Sequence, residues 1–95
     1  MELSIRSLQI DDHVLDKIES KHCISFTEVE EACLSDRRHV RRGRESLYKV
    51  FGQTAAGRHV LVVLVNLGGG DWKIVTSRQM TDSERRLYIK ATGGR

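Results

Sequence analysis

Ninety-five residues, none of them proline, suffice for one domain with a modest core and fall short of what normally supports two. No apolar run approaches a membrane span, and the opening Met1-Glu2-Leu3 lacks the basic and apolar stretches of a secretory signal, so a cytoplasmic protein is expected. The net charge of +3 conceals a division: residues 1 to 36 carry three basic and nine acidic groups, and residues 37 to 95 carry thirteen basic and four acidic. A cationic second half suits a polyanion such as RNA, because neutralising phosphates supplies most non-specific nucleic-acid affinity.

The spacing of Leu3, Ile5, Leu8 and Ile10 predicts a short first strand running into Asp11-Asp12, residues suited to capping a helix. Val14, Leu15 and Ile18 then mark the apolar stripe of a helix over about 12–21, with His22 at its end. A histidine there is either packed at the helix terminus or free to move a proton. Ser25 and Glu28 have capping-box spacing, and Phe26, Val29, Ala32 and Cys33 recur at three or four residues, which predicts a second helix from Phe26 to Leu34. Cys23 and Cys33 have neither metal-ligand spacing nor a disulfide-rich context and are read as reduced thiols.

After Asp36 come five arginines in eight residues, Arg37 to Arg44. They form either a nucleic-acid patch or a charged edge strand that resists sheet aggregation. Leu47 to Gln53 is a predicted strand with Leu47, Lys49 and Phe51 on one face and Tyr48 and Val50 on the other. His59 to Val65 is apolar without alternation, as a central strand buried on both faces would be. Gly68-Gly69-Gly70 reads as a hairpin turn, since the lysine and following helix of a phosphate loop are missing. Trp72 to Ser77 is the next strand, and Thr81 with Glu84 gives a second capping box that opens a final helix carrying Leu87 and Tyr88. His13, His22, His39 and His59 include no helical pair at i,i+4, so no metal site is expected.

Several of these blocks together resemble one family. They are Lys21-His22, Ser25-Phe26, Glu28 to Ala32, Leu47 to Thr54, Gly57-Arg58, Ile74 to Asp82, and Glu84-Arg85-Arg86 with Tyr88. In this order they are similar to the BrnT-like toxins of bacterial type II toxin–antitoxin systems, over about residues 3 to 90. The resemblance implies an α+β fold of the RelE-like kind: a short N-terminal strand, two helices, an antiparallel sheet of three or four further strands and a C-terminal helix, in a single domain over 1–95. It also implies metal-independent RNA cleavage without a cofactor. Neutralisation by an antitoxin bearing a ribbon-helix-helix DNA-binding domain follows from the same resemblance. Two departures stand out: Ile10 replaces an aromatic before Asp11, and Cys23 replaces the glycine after the Lys-His pair.

Cleavage of this kind needs a base for the ribose 2′-hydroxyl, cations for the phosphorane and an acid for the leaving oxygen. His22 is the candidate proton carrier, Lys21 a phosphate contact, Arg78 and Arg85 the charge stabilisers, and Glu45 the other possible base, unless it only pairs with neighbouring arginines. Arg41, Arg42, Arg44 and Arg58 are candidate RNA contacts. Tyr48 and Tyr88 could stack bases, or could pack their rings into the core. A non-catalytic RNA- or protein-binding module of the same fold is the alternative. For the toxin, which must be silenced stoichiometrically, an antitoxin is expected to cover the cationic face that includes Arg37 to Arg44, Arg58 and Arg78 with an acidic helix or strand.

Overall fold

The computed structural model describes residues 3–93; Met1, Glu2 and the terminal Gly94-Arg95 lie outside it. The elements run β1 (Ser7–Gln9), α1 (Asp12–His22), α2 (Phe26–Leu34), β2 (His39–Arg42), β3 (Leu47–Gln53), β4 (His59–Gly68), β5 (Asp71–Gln79) and α3 (Asp82–Ala91). They build one five-stranded sheet in the order β1-β5-β4-β3-β2. Strands β2 to β5 form an antiparallel meander, and β1 joins its far edge parallel to β5.

Both predicted capping boxes form. Ser25 Oγ accepts from the Glu28 amide at 3.1 Å while Glu28 Oε1 accepts from the Ser25 amide at 3.0 Å. Thr81 and Glu84 repeat the exchange at 3.2 and 2.9 Å. Each pair satisfies two amides that a helix N-terminus leaves without partners. Asp11 occupies the N-cap of α1 but makes no side-chain cap bond; its carboxylate instead meets Lys73 Nζ at 2.8 Å.

The first strand is shorter than its apolar spacing predicts. Residues 3–6 run beside the sheet outside the ladder, held by the Arg6 amide on the Gly70 carbonyl at 2.7 Å and by side chains. Trp72 Nε1 donates to the Ser4 carbonyl at 3.0 Å, Arg6 grips Asp71 at 2.7 Å, and Arg38 donates to the Leu3 carbonyl.

The sheet is covered unequally. On one face α1 and α2 bury Ile18, Val29, Ala32 and Cys33 against Val50, Val60, Val62, Leu64, Trp72 and Ile74. Burial pushes the Cys33 thiol up to about 12, so it stays protonated. On the other face α3 closes a smaller core of Phe51, Leu61, Met80 and Tyr88. Strand β4 is central, as its unbroken apolar run predicts, but it is buried on both sides only from Val60 to Val62; Leu64 is buried on the α1/α2 face while Val63 and Val65 on the other are half-buried. Beyond the part under α3, the second face keeps two uncovered rows, Arg41–Lys49–Val63–Thr76 and Leu47–Val65–Lys73, fixed by strand register.

The joint between α1 and α2 is tied to the sheet by Arg58. Its guanidinium donates to the carbonyls of Cys23 at 2.6 Å and His22 at 3.2 Å and pairs with Glu28 at 3.3 Å. Cys23 sits at φ 54°, the left-handed cap position that favours glycine, with its amide on the Ile18 carbonyl. Cys23→Gly is therefore expected to raise stability by about 0.5–1 kcal/mol, read as a melting temperature higher by roughly 2–8 °C. An unchanged or lower melting temperature would show that the thiol's own contacts outweigh the backbone strain.

Candidate functional site

The second sheet face carries a groove between the β2–β3 hairpin and α3. One part, about 290 Å³, is lined by His39, Arg41, Phe51, Glu84, Leu87 and Tyr88 among others. An adjoining hollow of about 360 Å³ shares Arg41, Phe51, Glu84 and Leu87 and adds Arg42 and Lys49. Alternation along β2 points His39 and Arg41 to this face, with Val40 buried between them on the other. Arg41 lies directly opposite Lys49 across the ladder. Like charges so placed repel, and among the described residues neither makes an ion pair, so an anion set between them would relieve the repulsion.

His39 is half-buried against Phe51, ring centroids 6.0 Å apart. Burial, reinforced by the Arg41 charge, lowers its pKa, so it is neutral and able to accept a proton at pH 7. Sequence reasoning missed this residue because the arginine run around it reads as a solvated edge. The period-two placement of His39 and Arg41 on one face was the available signal.

Arg78 and Glu84 form a bidentate pair at the groove wall, 2.7 and 2.9 Å, and Glu84 also caps α3 through the Thr81 amide. The Arg78 hydrogen bonds hold the Glu84 carboxyl down to about 2, against the cost of its burial. Since 4.5 is its usual value, the stabilisation is complete above about pH 5 and is lost as pH falls toward 2. With the Arg78 side chain 38% exposed, solvent screening leaves roughly 1–2 kcal/mol. Glu84→Gln should therefore melt below the parent protein by a gap that narrows from pH 5 to pH 2. A gap constant across that range would remove the ion pair as its cause.

The residues singled out from sequence do not form one cluster. Arg41 and Arg42 flank the groove, and Arg44 is exposed in the hairpin beside it. Arg42 leans to the opposite face, its guanidinium carbon 5.9 Å from the Tyr48 ring centre. Arg85 is exposed on the first turn of α3, 3.5 Å from Asp82. Glu45 stands at the hairpin tip at φ 53°, followed by Ser46 at φ 66°, a primed turn closed by the Leu47 amide on the Arg44 carbonyl at 2.9 Å. Strand β3 separates that tip from the Arg58 end of the sheet, where Lys21 and His22 finish α1 in the other helical layer. Glu45 and His22 thus cannot share one phosphate.

Other assignments need correction. Tyr88 is 1% exposed with its ring edge-on to His59 at 5.6 Å, so it cannot stack an RNA base. Tyr48 packs edge-on to Trp72 at 5.1 Å on the face under α1 and α2, which removes it from the groove. Arg58 is engaged by the helix joint and is not a free RNA contact. Arg78 reaches the groove wall already neutralised by Glu84. Among the described residues, no three or more histidine, cysteine, aspartate or glutamate side chains gather as a metal site would need. None of the helices described is long and apolar enough to cross a membrane.

Two helices on one face of a five-stranded sheet, a third on the other and a parallel N-terminal edge strand define an α+β protein. Within that class the chain has the BrnT fold. The crystal structure of the ribonuclease toxin BrnT from Brucella abortus matches it with a TM-score of 0.68, over 80% of this chain and 97% of that one, at 16% sequence identity. No family model matches the sequence, and no curated protein matches it.

Proposed function

We propose that this protein is the ribonuclease toxin of a type II toxin–antitoxin pair, cleaving RNA without a metal or other cofactor in the cytoplasm. Its antitoxin carries a ribbon-helix-helix DNA-binding domain. The observation that carries this reading is the facing pair Arg41 and Lys49 beside neutral His39, in a groove on a BrnT fold. A phosphodiester seated between the two cations exposes its ribose 2′-hydroxyl to His39. His39 takes the hydroxyl proton, the 2′-oxygen attacks phosphorus, and the bond to the 5′-oxygen breaks. That oxygen leaves with a proton from solvent, giving a 2′,3′-cyclic phosphate and a 5′-hydroxyl. Arg44 in the hairpin and Arg85 on α3 extend the cationic border on either side. Lys21, His22 and Glu45 have no part in the step.

A second reading, RNA binding without cleavage, draws on the Arg78–Glu84 pair, which withholds the Arg78 guanidinium from phosphate. One experiment separates them. Purified protein is incubated with RNA in the presence of a chelator, and growth is followed on induction with and without the neighbouring open reading frame. Cyclic-phosphate ends and growth arrest relieved by the neighbour support the toxin. RNA binding that weakens steeply with salt, with no product, supports the second reading.

A further inference from the structure

The two hollows of the groove differ in their walls, and the difference matches the two ends of a nucleotide. Arg42, Gly43 and Lys49 of the hairpin belong only to the hollow of about 360 Å³. The hollow of about 290 Å³ has His39, Lys90 and Ala91 to itself, and the two meet at Arg41, Glu84 and Leu87. His39 and Arg41 are alternate residues of β2 on one face, so about 7 Å separates the proton acceptor from the phosphate contact. A phosphate between Arg41 and Lys49, with its ribose at His39, sends the base of that nucleotide into the smaller hollow.

That hollow is a slot. His39 stands on its strand side and Leu87, 57% exposed, on its helix side. A histidine ring offers its face to a flat heterocycle and keeps an in-plane nitrogen for a hydroxyl. The volume lies at the lower end for ligand pockets, about 300 Å³, and suits one ring system. Glu84 and Lys90 close the two ends, six residues and about 9 Å apart along α3. Among the described residues Lys90 forms no ion pair, so its ammonium is free to donate. Glu84 Oε2 accepts from Arg78 at 2.9 Å and keeps a further lone pair. A fitting base therefore shows acceptors at one edge and donors at another. Guanine does so, with O6 and N7 for the lysine and N1–H and the N2 amine for the carboxylate, whereas adenine turns its N6 amine toward the lysine and a pyrimidine is too short to reach both ends. We propose that this hollow is a base-selecting subsite that takes guanine from the nucleotide on the 5′ side of the cleaved bond. The proposal rests on the ribonuclease reading above and adds a sequence preference to it, cleavage after guanosine.

The test uses the full chain with guanosine, adenosine and cytidine 3′-monophosphates and inorganic phosphate as probes. Each nucleotide carries base, ribose and 3′-phosphate but no leaving nucleoside, so binding is read without cleavage. Affinity is followed through the Leu87 methyl resonances, and histidine modification by diethyl pyrocarbonate is located by mass spectrometry. The guanosine nucleotide should bind at least ~10-fold more tightly than the other two, shift the Leu87 methyls and protect His39 but not His13 or His22. Lys90→Gln should remove most of the preference. Leu87→Trp, which fills the slot, should reduce nucleotide affinity to that of inorganic phosphate. Both positions are exposed on α3, and the measurements on the parent protein decide the matter even if a variant disturbs folding. Equal affinities, preference for another base, unmoved Leu87 methyls or a preference that survives in folded Lys90→Gln each overturns the subsite. Cleavage of a random-sequence RNA is mapped in parallel. Cleavage without regard to base removes the subsite and keeps the ribonuclease; selective guanosine nucleotide binding with no cleavage removes the ribonuclease and keeps the subsite.

Discussion

Gly52→Ala is expected to abolish cooperative folding or to cost at least ~4 kcal/mol. A β-carbon on Gly52 would lie 2.1 Å from the Ala32 carbonyl oxygen and 2.8 Å from its carbon. Those atoms are backbone of α2, so no side chain can rotate away; either the helix lifts off β3 or the strand sinks. Both movements open the core in which Val29, Ala32 and Cys33 are fully buried. Overpacking in ordinary cores costs about 1–3 kcal/mol when side chains absorb it, and here only main chain can move. For a domain of this length ~4 kcal/mol is about 15–30 °C in melting temperature. A cooperative melt within about 5 °C of the parent would show that α2 is free to shift.

His39→Gln should lower RNA cleavage by ~10²- to 10⁴-fold, the usual loss on removing a general base, with a melting temperature within a few degrees of the parent. Glutamine keeps most of the half-buried volume against Phe51 but cannot take the proton. His22→Gln, in the other helical layer, should retain cleavage. The pH profile adds a second readout. Burial and Arg41 lower the His39 pKa, so cleavage should rise along a limb centred below the ordinary histidine value of about 6.5. Arg41→Ala should move that limb upward besides weakening RNA binding. Cleavage by His39→Gln at the parent rate would place the base elsewhere.

The parts of this fold legible in sequence are those whose signals are local. Ser25 with Glu28 and Thr81 with Glu84 marked both helix starts, because a capping box is a short-range exchange between side chain and amide. The unbroken run from His59 identified the central strand, although the second face is covered only over its first half and leaves Val63 and Val65 half-buried. Non-local features were not legible. Leu3 and Ile5 read as strand, yet Arg38, Trp72 and Asp71 determine where the ladder starts, and they lie more than thirty residues away. In the site, the cations were visible but not their obligations. Arg58 could not be known to hold two helix-terminal carbonyls, nor Arg78 to be neutralised by Glu84, before the chain was folded. The side-chain period of β2 does place His39 beside Arg41, and its weight becomes clear only once α3 is seen to wall the groove.

The parallel pairing of β1 with β5 also sets how early in synthesis the fold can assemble. Ser7 registers with Asp71, Leu8 with Trp72 and Gln9 with Lys73, so the first strand has no partner until nearly three-quarters of the chain exists. Helices α1 and α2 wait as well, because the platform they bury is β3, β4 and β5. Contacts this distant in sequence slow folding, and a chain emerging at about 5–20 residues per second stays unassembled for most of its translation. The groove is completed last, by α3 at residues 82–91. A chain released before residue 82 therefore lacks the α3 wall of the groove altogether.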